Sequence, residues 1–121
     1  MRPNADATLY TRAVTNGAEV WTRTAVPGVH WENRKAANVL ASGGSIEADQ
    51  AAIYIPMYGR SVLPAMAPGD VIVRGLVADE IGAGFTVSDL KRKYSDCLRI
   101  TTVDLMNYGR QQLWHYQIGA K

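Results

Sequence analysis

Asn16-Gly17 separates two runs, ATLYTRAV (7–14) and AEVWTRTAV (18–26), that are rich in β-branched and aromatic residues. Asn-Gly suits the centre of a two-residue hairpin turn, where both positions need positive φ, and it is the strongest short-range hairpin signal a sequence carries. The two runs are therefore expected to fold back on each other as antiparallel strands. In the second run Val20, Thr22, Thr24 and Val26 share one face, and Trp21, Arg23 and Ala25 share the other.

More short strands follow. Pro27-Gly28 is expected to bend or interrupt the second strand, with Val29-His30-Trp31 as a brief continuation. Ala51 to Ile55 reads as a strand ended by Pro56, and Asp70 to Arg74 as a short strand opened by Pro68-Gly69. LVADEI (76–81) either extends that strand or forms the next one. In FTVSDLKRKY (85–94), Thr86 or Ser88 can cap a short helix. LRITTVDL (98–105) is a strand, NYG (107–109) a turn, and QLWHYQI (112–118) the closing strand. Its alternation assigns Trp114, Tyr116 and Ile118 to the core and turns Leu113, His115 and Gln117 outward. The fold class expected is mainly β: a small antiparallel β-barrel or sandwich of about six strands, with two long loops and at most one or two short helices.

The first long loop, at about 33–47, is the hardest segment to place. NRKAANVL (33–40) offers Asn33 as a helix cap and only Val39 and Leu40 as apolar contacts, while Arg34 and Lys35 oppose the helix dipole. Ser42-Gly43-Gly44-Ser45 then ends regular structure. The expectation is a flexible arm with at most a helical turn, made to touch another chain: Val39 and Leu40 to be buried in a partner, Arg34 and Lys35 to meet an acidic neighbour or phosphates. The second loop, at about 57–69, is rich in Pro, Gly and Met.

Length and composition fit one folded domain over residues 1–121, with 47% hydrophobic and 20% charged residues. A net charge of +2 is weak for a dedicated nucleic-acid binder. The single cysteine, Cys97, excludes an intramolecular disulfide and suits a reducing compartment. MRPNADATLY has no apolar run to act as a signal peptide, and no stretch is long and apolar enough to span a bilayer, so no membrane association is expected.

The candidates for chemistry stand alone. His30, His115 and Cys97 lack the close spacing of zinc-ligand pairs, so neither a metal nor another cofactor is expected. No G-x-S-x-G elbow occurs, and Cys97 sits in no recognisable nucleophile motif. Asp79 and Glu80 are neighbours, a poor acid–base couple in a strand, and read as a solvated turn. Gly43-Gly44-Ser45 lacks the ending of a phosphate loop. No catalytic residue is therefore expected. Lys91-Arg92-Lys93 is the one basic run; it reads as a solvated helix end or as a contact for phosphate or an acidic partner.

The order of elements carries a resemblance. A strand with Tyr10-Thr11-Arg12 is followed by VHWENRKAANVLASGGSIEADQAAIYIP (29–56), then PGDVIVRG (68–75), then CLRITTVDLMNYGRQQLWHYQIGAK (97–121). This layout resembles the small head–tail connector proteins of long-tailed bacteriophages, and within them the head-closure, or stopper, type. Those pair a Gly-Asp-hydrophobic-hydrophobic strand with a later strand of the Ile-Thr-x-Val-Asp kind, a glycine-containing turn and a final strand. The resemblance implies a subunit of the virion neck, made in the bacterial host cytoplasm. Copies of the chain would form a ring around the DNA channel, between the portal or adaptor and the tail-terminator or tail-tube proteins, with non-specific contact to packaged DNA. It implies no catalytic residues. Tail-completion and minor capsid proteins of the same particle share much of this layout. The long Met57–Pro68 loop departs from the commonest pattern and leaves open which loop faces the channel. An alternative of another class is a small β-barrel module that binds nucleic acid through aromatic platforms and a basic groove.

Overall fold

The structure, a computed structural model, describes residues 2–39, 45–60 and 63–121, and for 34–39 and 45–50 it describes the backbone alone. The described elements are β1 (Ala5–Thr15), β2 (Ala18–Val39), β3 (Ser45–Pro56), β4 (Val71–Arg74), α1 (Val87–Lys93), β5 (Cys97–Met106), a 3-10 turn (Gln111–Leu113) and β6 (His115–Ala120). The six strands close into an antiparallel barrel in the order β1-β2-β3-β6-β5-β4.

The hairpin forms where the sequence placed it. Asn16 and Gly17 take φ of 52° and 78°, and Thr15 pairs with Ala18 across the turn. Pro27-Gly28 bends β2 without interrupting it. Register passes from Ala7↔Val26 to Ala5↔Val29, so β2 carries one extra residue there. Gly28 sits at φ 71°, and its N–H is taken by the Asp6 carboxylate at 3.0 Å. Closure thus tolerates a proline and a left-handed residue because an aspartate across the strand pair satisfies the donor freed by the bulge.

Alternation sorts the apolar residues into two layers. Ala7, Leu9, Val26, Val29, Trp31, Ile53, Ile55, Ile72, Ile100 and Ile118 point inward and fill the barrel, with every strand contributing. Each fully buried Leu or Ile contributes about 1.5–3 kcal/mol. Tyr10, Val71, Val73 and Cys97 point outward from β1, β4 and β5, yet they are also buried. The excursion of residues 75–96 between β4 and β5 lies over them, and Leu90 of α1 seals the layer with Val77, Ile81, Phe85, Val87 and Tyr94 packed at its rim. The runs of four and three buried residues in β1 and β4 follow from this double cover.

Four expectations are corrected. LVADEI is not a strand: residues 76–80 form no ladder, and only an isolated Gly82↔Phe85 bridge interrupts the excursion. The closing strand begins at His115, because Gln111–Leu113 forms a 3-10 turn. Trp114 caps that turn, half-buried, with its indole N–H donating to the Gly109 carbonyl at 3.3 Å; it is outside both apolar clusters, whereas Ile118 is buried and Tyr116 packs against the barrel core. Residues 33–39 and 45–47 are neither a loop nor a helical turn: β2 runs on to Val39 and pairs with β3 from Asn33↔Ala51 to Val39↔Ser45, while 40–44 lie outside the described residues.

The helix stands as read. Thr86 caps α1 through a reciprocal capping box with Asp89, and Lys91, Arg92 and Lys93 fill its last turn, where they suit the helix dipole.

Candidate functional site

Two ribbons project from the barrel. β1 pairs with β4 only over Ala7–Tyr10, so Thr11–Thr15 and the facing part of β2 share strand pairing only with each other among the described residues. β3 pairs with β6 only over Ala51–Pro56, so 34–39 and 45–50 likewise pair only with each other. β2 enters the barrel from the first ribbon and leaves it into the second, so the two lie at opposite ends. The second extends about 20 Å beyond Asn33 at strand rise.

The predicted contact residues divide accordingly. Arg34, Lys35 and Val39 lie on the β2 side of the second ribbon, where the backbone alone is described; Leu40 lies outside the described residues. Lys91, Arg92 and Lys93 sit on α1, a separate element, and two of the three are engaged: Lys93 bonds the Asp79 carboxylate at 3.0 Å, and Arg92 pairs with Asp89. That leaves Lys91 as the part of the run with no ion pair among the described residues.

The first ribbon is anchored by a residue the sequence did not single out. Asp70 is 5% exposed, and its two carboxylate oxygens accept from the backbone N–H of Arg12 at 3.0 Å and of Ala67 at 2.9 Å. β4 begins only at Val71, so the Asp70 side chain takes the hydrogen bond that a longer β4 would have supplied. Asn4 does the same work at the other end of β1: its side-chain amide brackets Trp31, accepting from the N–H at 2.7 Å and donating to the carbonyl at 3.1 Å.

Among the described side chains, exposed apolar residues gather at the end of the barrel that carries the first ribbon. Val14, Val20, Tyr58, Leu105, Tyr108 and Leu113 are exposed there, Tyr108 by 76%. The described residues of the 57–69 loop lie at that end: Leu63 and Met66 pack against the barrel core, Arg60 donates to the carbonyls of Pro56 and Gly28, and the Met57 N–H bonds the Trp114 carbonyl. Desolvation at this packed position lowers the Arg60 pKa from its ordinary value.

Asp79 is a knot, not the solvated turn expected. Its carboxylate accepts from the Tyr94 hydroxyl and Lys93, and its backbone carbonyl accepts from the Tyr10 hydroxyl at 2.6 Å. The Tyr94 bond, then the Lys93 bond, hold the Asp79 carboxyl below its usual range. Burial, then the Asp79 charge, push the Tyr10 phenol up to about 12. A tyrosine so far from ionising keeps its O–H at neutral pH and stays a hydrogen-bond donor to the Asp79 carbonyl. The arrangement works as a clamp on the excursion.

The isolated ligands stay apart. His30 contacts the Arg2 carbonyl and Glu32, and His115 contacts the Leu113 carbonyl. Tyr54 lies between the two rings, with centroids 5.8 and 6.0 Å away, in an aromatic row across β2, β3 and β6. Cys97 is buried, which pushes its thiol up to about 11. Among the described residues no group of three His, Cys, Asp or Glu side chains could hold a metal, and no helix is long and apolar enough to cross a membrane.

A model of the family of unknown function DUF6751 matches residues 2–121. The chain belongs to the DUF6751 family. No curated protein and no solved structure matches it. The family match covers the barrel, both ribbons and the excursion alike, so the features of this DUF6751 chain that could meet a partner lie within the region the family defines.

Proposed function

We propose that the chain is a structural subunit of a phage head–tail connector, forming a ring around the DNA channel between portal or adaptor and tail, in the position of the head-closure protein. One observation carries this reading: a closed barrel sends two-stranded ribbons out of opposite ends, one of them at an apolar end face. A closed barrel has no sheet edge of its own. The ribbons restore edges, and they do so at two ends, as a subunit needs if it touches neighbours on more than one side. The layout resemblance to stopper proteins supports the same reading. The ribbon of 34–50, with Arg34 and Lys35, is the element that reaches a neighbour or the channel.

The experiment is made on tailed particles from the source strain. The chain should co-purify with them, and reconstruction should place several copies as a ring in the neck. Particles made without it should fill with DNA and then lose it. Absence of the chain from purified particles overturns the reading, as does DNA retention and tail joining without it. Density at the tail end or in the shell would instead assign it as a tail-completion or minor capsid protein. Steep, salt-dependent binding to oligonucleotides by the free chain, with no chain in the particles, would favour the nucleic-acid module.

A further inference from the structure

Among the described residues the backbone of the first ribbon presents two edges without a strand partner, the β1 edge beyond the Arg12 N–H that Asp70 takes, and the β2 edge along Glu19–Trp21. In a hairpin closed by a two-residue turn, the flanking pair is hydrogen-bonded, and alternate residues then turn their N–H and C=O groups to opposite sides. Thr15 pairs with Ala18 across Asn16-Gly17, so Thr15, Ala13 and Thr11 face β2, while Val14 and Arg12 face the line of β4. The bond from the Arg12 N–H to Asp70 confirms this direction. One rung further along, no strand among the described residues reaches Val14, because β4 begins at Val71, opposite Tyr10. By the same alternation Glu19 and Trp21 turn their backbone groups away from β1, toward a side where β2 gains no partner until His30 meets Tyr54.

Protected edges carry prolines, bulges or charged side chains, lysine above all. This ribbon carries no proline, bulge or lysine, and the charges on its two edges are of opposite sign. Residues 5–26 contain no proline and no lysine, the bulge in β2 lies beyond Val26, and Val14 and Val20 are 63% and 47% exposed. The charges are complementary: Arg12 belongs to one edge and Glu19 to the other, and the two already pair within the hairpin.

We propose that this ribbon is a self-association module, in which the β1 edge at Arg12–Val14 of one copy pairs antiparallel with the β2 edge at Glu19–Trp21 of a second copy. β1 runs toward the turn and β2 away from it, so ribbons set side by side with their turns at the same end bring opposite strand directions together. Arg12 of one copy then meets Glu19 of the next. Each addition leaves one β1 edge and one β2 edge open, so the contact is heterologous and closes into a ring when the rotation permits. The inference deepens the connector reading, naming the partner and the contact, and it rests on that reading only for the biological setting.

The test mixes two single-cysteine variants of the full chain, V14C and E19C, under mild oxidation at the highest soluble concentration. Cys97 is buried and its thiol raised, so it stays silent. The mixed V14C–E19C disulfide should exceed both like-with-like dimers. Within one chain these positions are cross-strand neighbours, so the variants are kept on separate molecules. In parallel, V14P removes an edge donor that β2 does not use. It should weaken self-association of the wild-type chain about ten-fold, the loss of one hydrogen-bonded rung, while circular dichroism stays native. If V14P fails to fold, the disulfide result alone decides. A statistical mixture of dimers, a dominant V14C–V14C product, or a chain that stays monomeric at all concentrations overturns the proposal. Edge pairing without the chain in particles would sink the connector reading alone; a neck ring with no preferred mixed disulfide would sink this contact alone.

Discussion

The hydroxyl of Tyr10, on the outer face of the barrel, donates to the backbone carbonyl of Asp79 at 2.6 Å, 69 residues away in sequence. This bond fastens the 75–96 excursion to β1 and explains why a tyrosine can be fully buried on the outside of a sheet. Tyr10→Phe should lower stability by about 1–2 kcal/mol, the value of a hydrogen bond whose partner is left buried, as read by urea denaturation. A change within error would mean that water replaces the bond.

The same tyrosine sets an alkaline limit. Its phenol is raised in the folded state to about 12, so the unfolded chain loses that proton first, near the ordinary value of 10.0. The stabilisation is complete below 10.0 and declines as pH rises from there through about 12. Thermal melts across that window should fall for the wild-type chain and fall less for Tyr10→Phe. Parallel curves for the two would exclude Tyr10 as the cause.

Asp79 sets the acid counterpart. Its carboxyl lies below the ordinary value of 3.8 when folded, through the Tyr94 bond first and Lys93 second. Its contribution is present above 3.8 and is lost as pH falls below that. Trp21 packs at the rim of the layer that the excursion covers, so its fluorescence should report loosening in acid. Asp79→Asn should show a lower melting temperature at neutral pH and a flatter acid response. An unchanged acid response would place the sensitive group elsewhere.

Asp70→Ala removes the acceptor for two backbone donors, Arg12 and Ala67, at a site that is 5% exposed. A cost of about 2–4 kcal/mol is expected, since each orphaned donor costs roughly 1–3 kcal/mol. Hydrogen exchange should accelerate at the Arg12 amide. If it does not, the first ribbon is held by its own turn alone.

The second ribbon should be dispensable for folding. Trp31 turns its backbone groups to Asn4 and Met57 turns its N–H to Trp114, so by alternation Arg34↔Gln50 is a hydrogen-bonded pair, and replacing 35–49 with an Asn-Gly turn reconnects β2 and β3 in phase. The melting temperature should stay within a few degrees, while incorporation into particles is lost. A collapse of the barrel would show that the ribbon supports the core, and normal particles would remove its role in assembly.

The strands of the barrel were legible because each rested on local chemistry: Asn16-Gly17 for the turn, Pro68-Gly69 before Val71, the alternation that buries Ile53, Ile55 and Ile118. The Thr86 cap was readable for the same reason. What escaped was set by distant partners. Residues 33–39 have the alanines and charges of a poor strand, and they are extended because 45–51 lie alongside. Trp114 follows the alternation of 116 and 118, but the 3-10 turn breaks that register before the alternation can place it. Asp70 read as the first residue of a strand and Asp79 as part of a solvated turn; only the path of the chain shows that Asp70 meets the backbone of Arg12 and Ala67 and that Asp79 meets Tyr10, Lys93 and Tyr94. The charges on Arg92 and Lys93 were counted as available, and helix and excursion engage both.

β2 spans 22 residues without a break, bending at Gly28 and belonging to both ribbons. Its hydrogen bonds to β1 and β3 run across the strand, so a pull along it loads them in shear, many at once, and not one by one as when a hairpin is peeled open. Tension applied at one ribbon therefore reaches the other through a single covalent strut whose one soft point is the bulge. The barrel acts as a collar around that strut, and the bond from the Gly28 N–H to the Asp6 carboxylate holds its one bend.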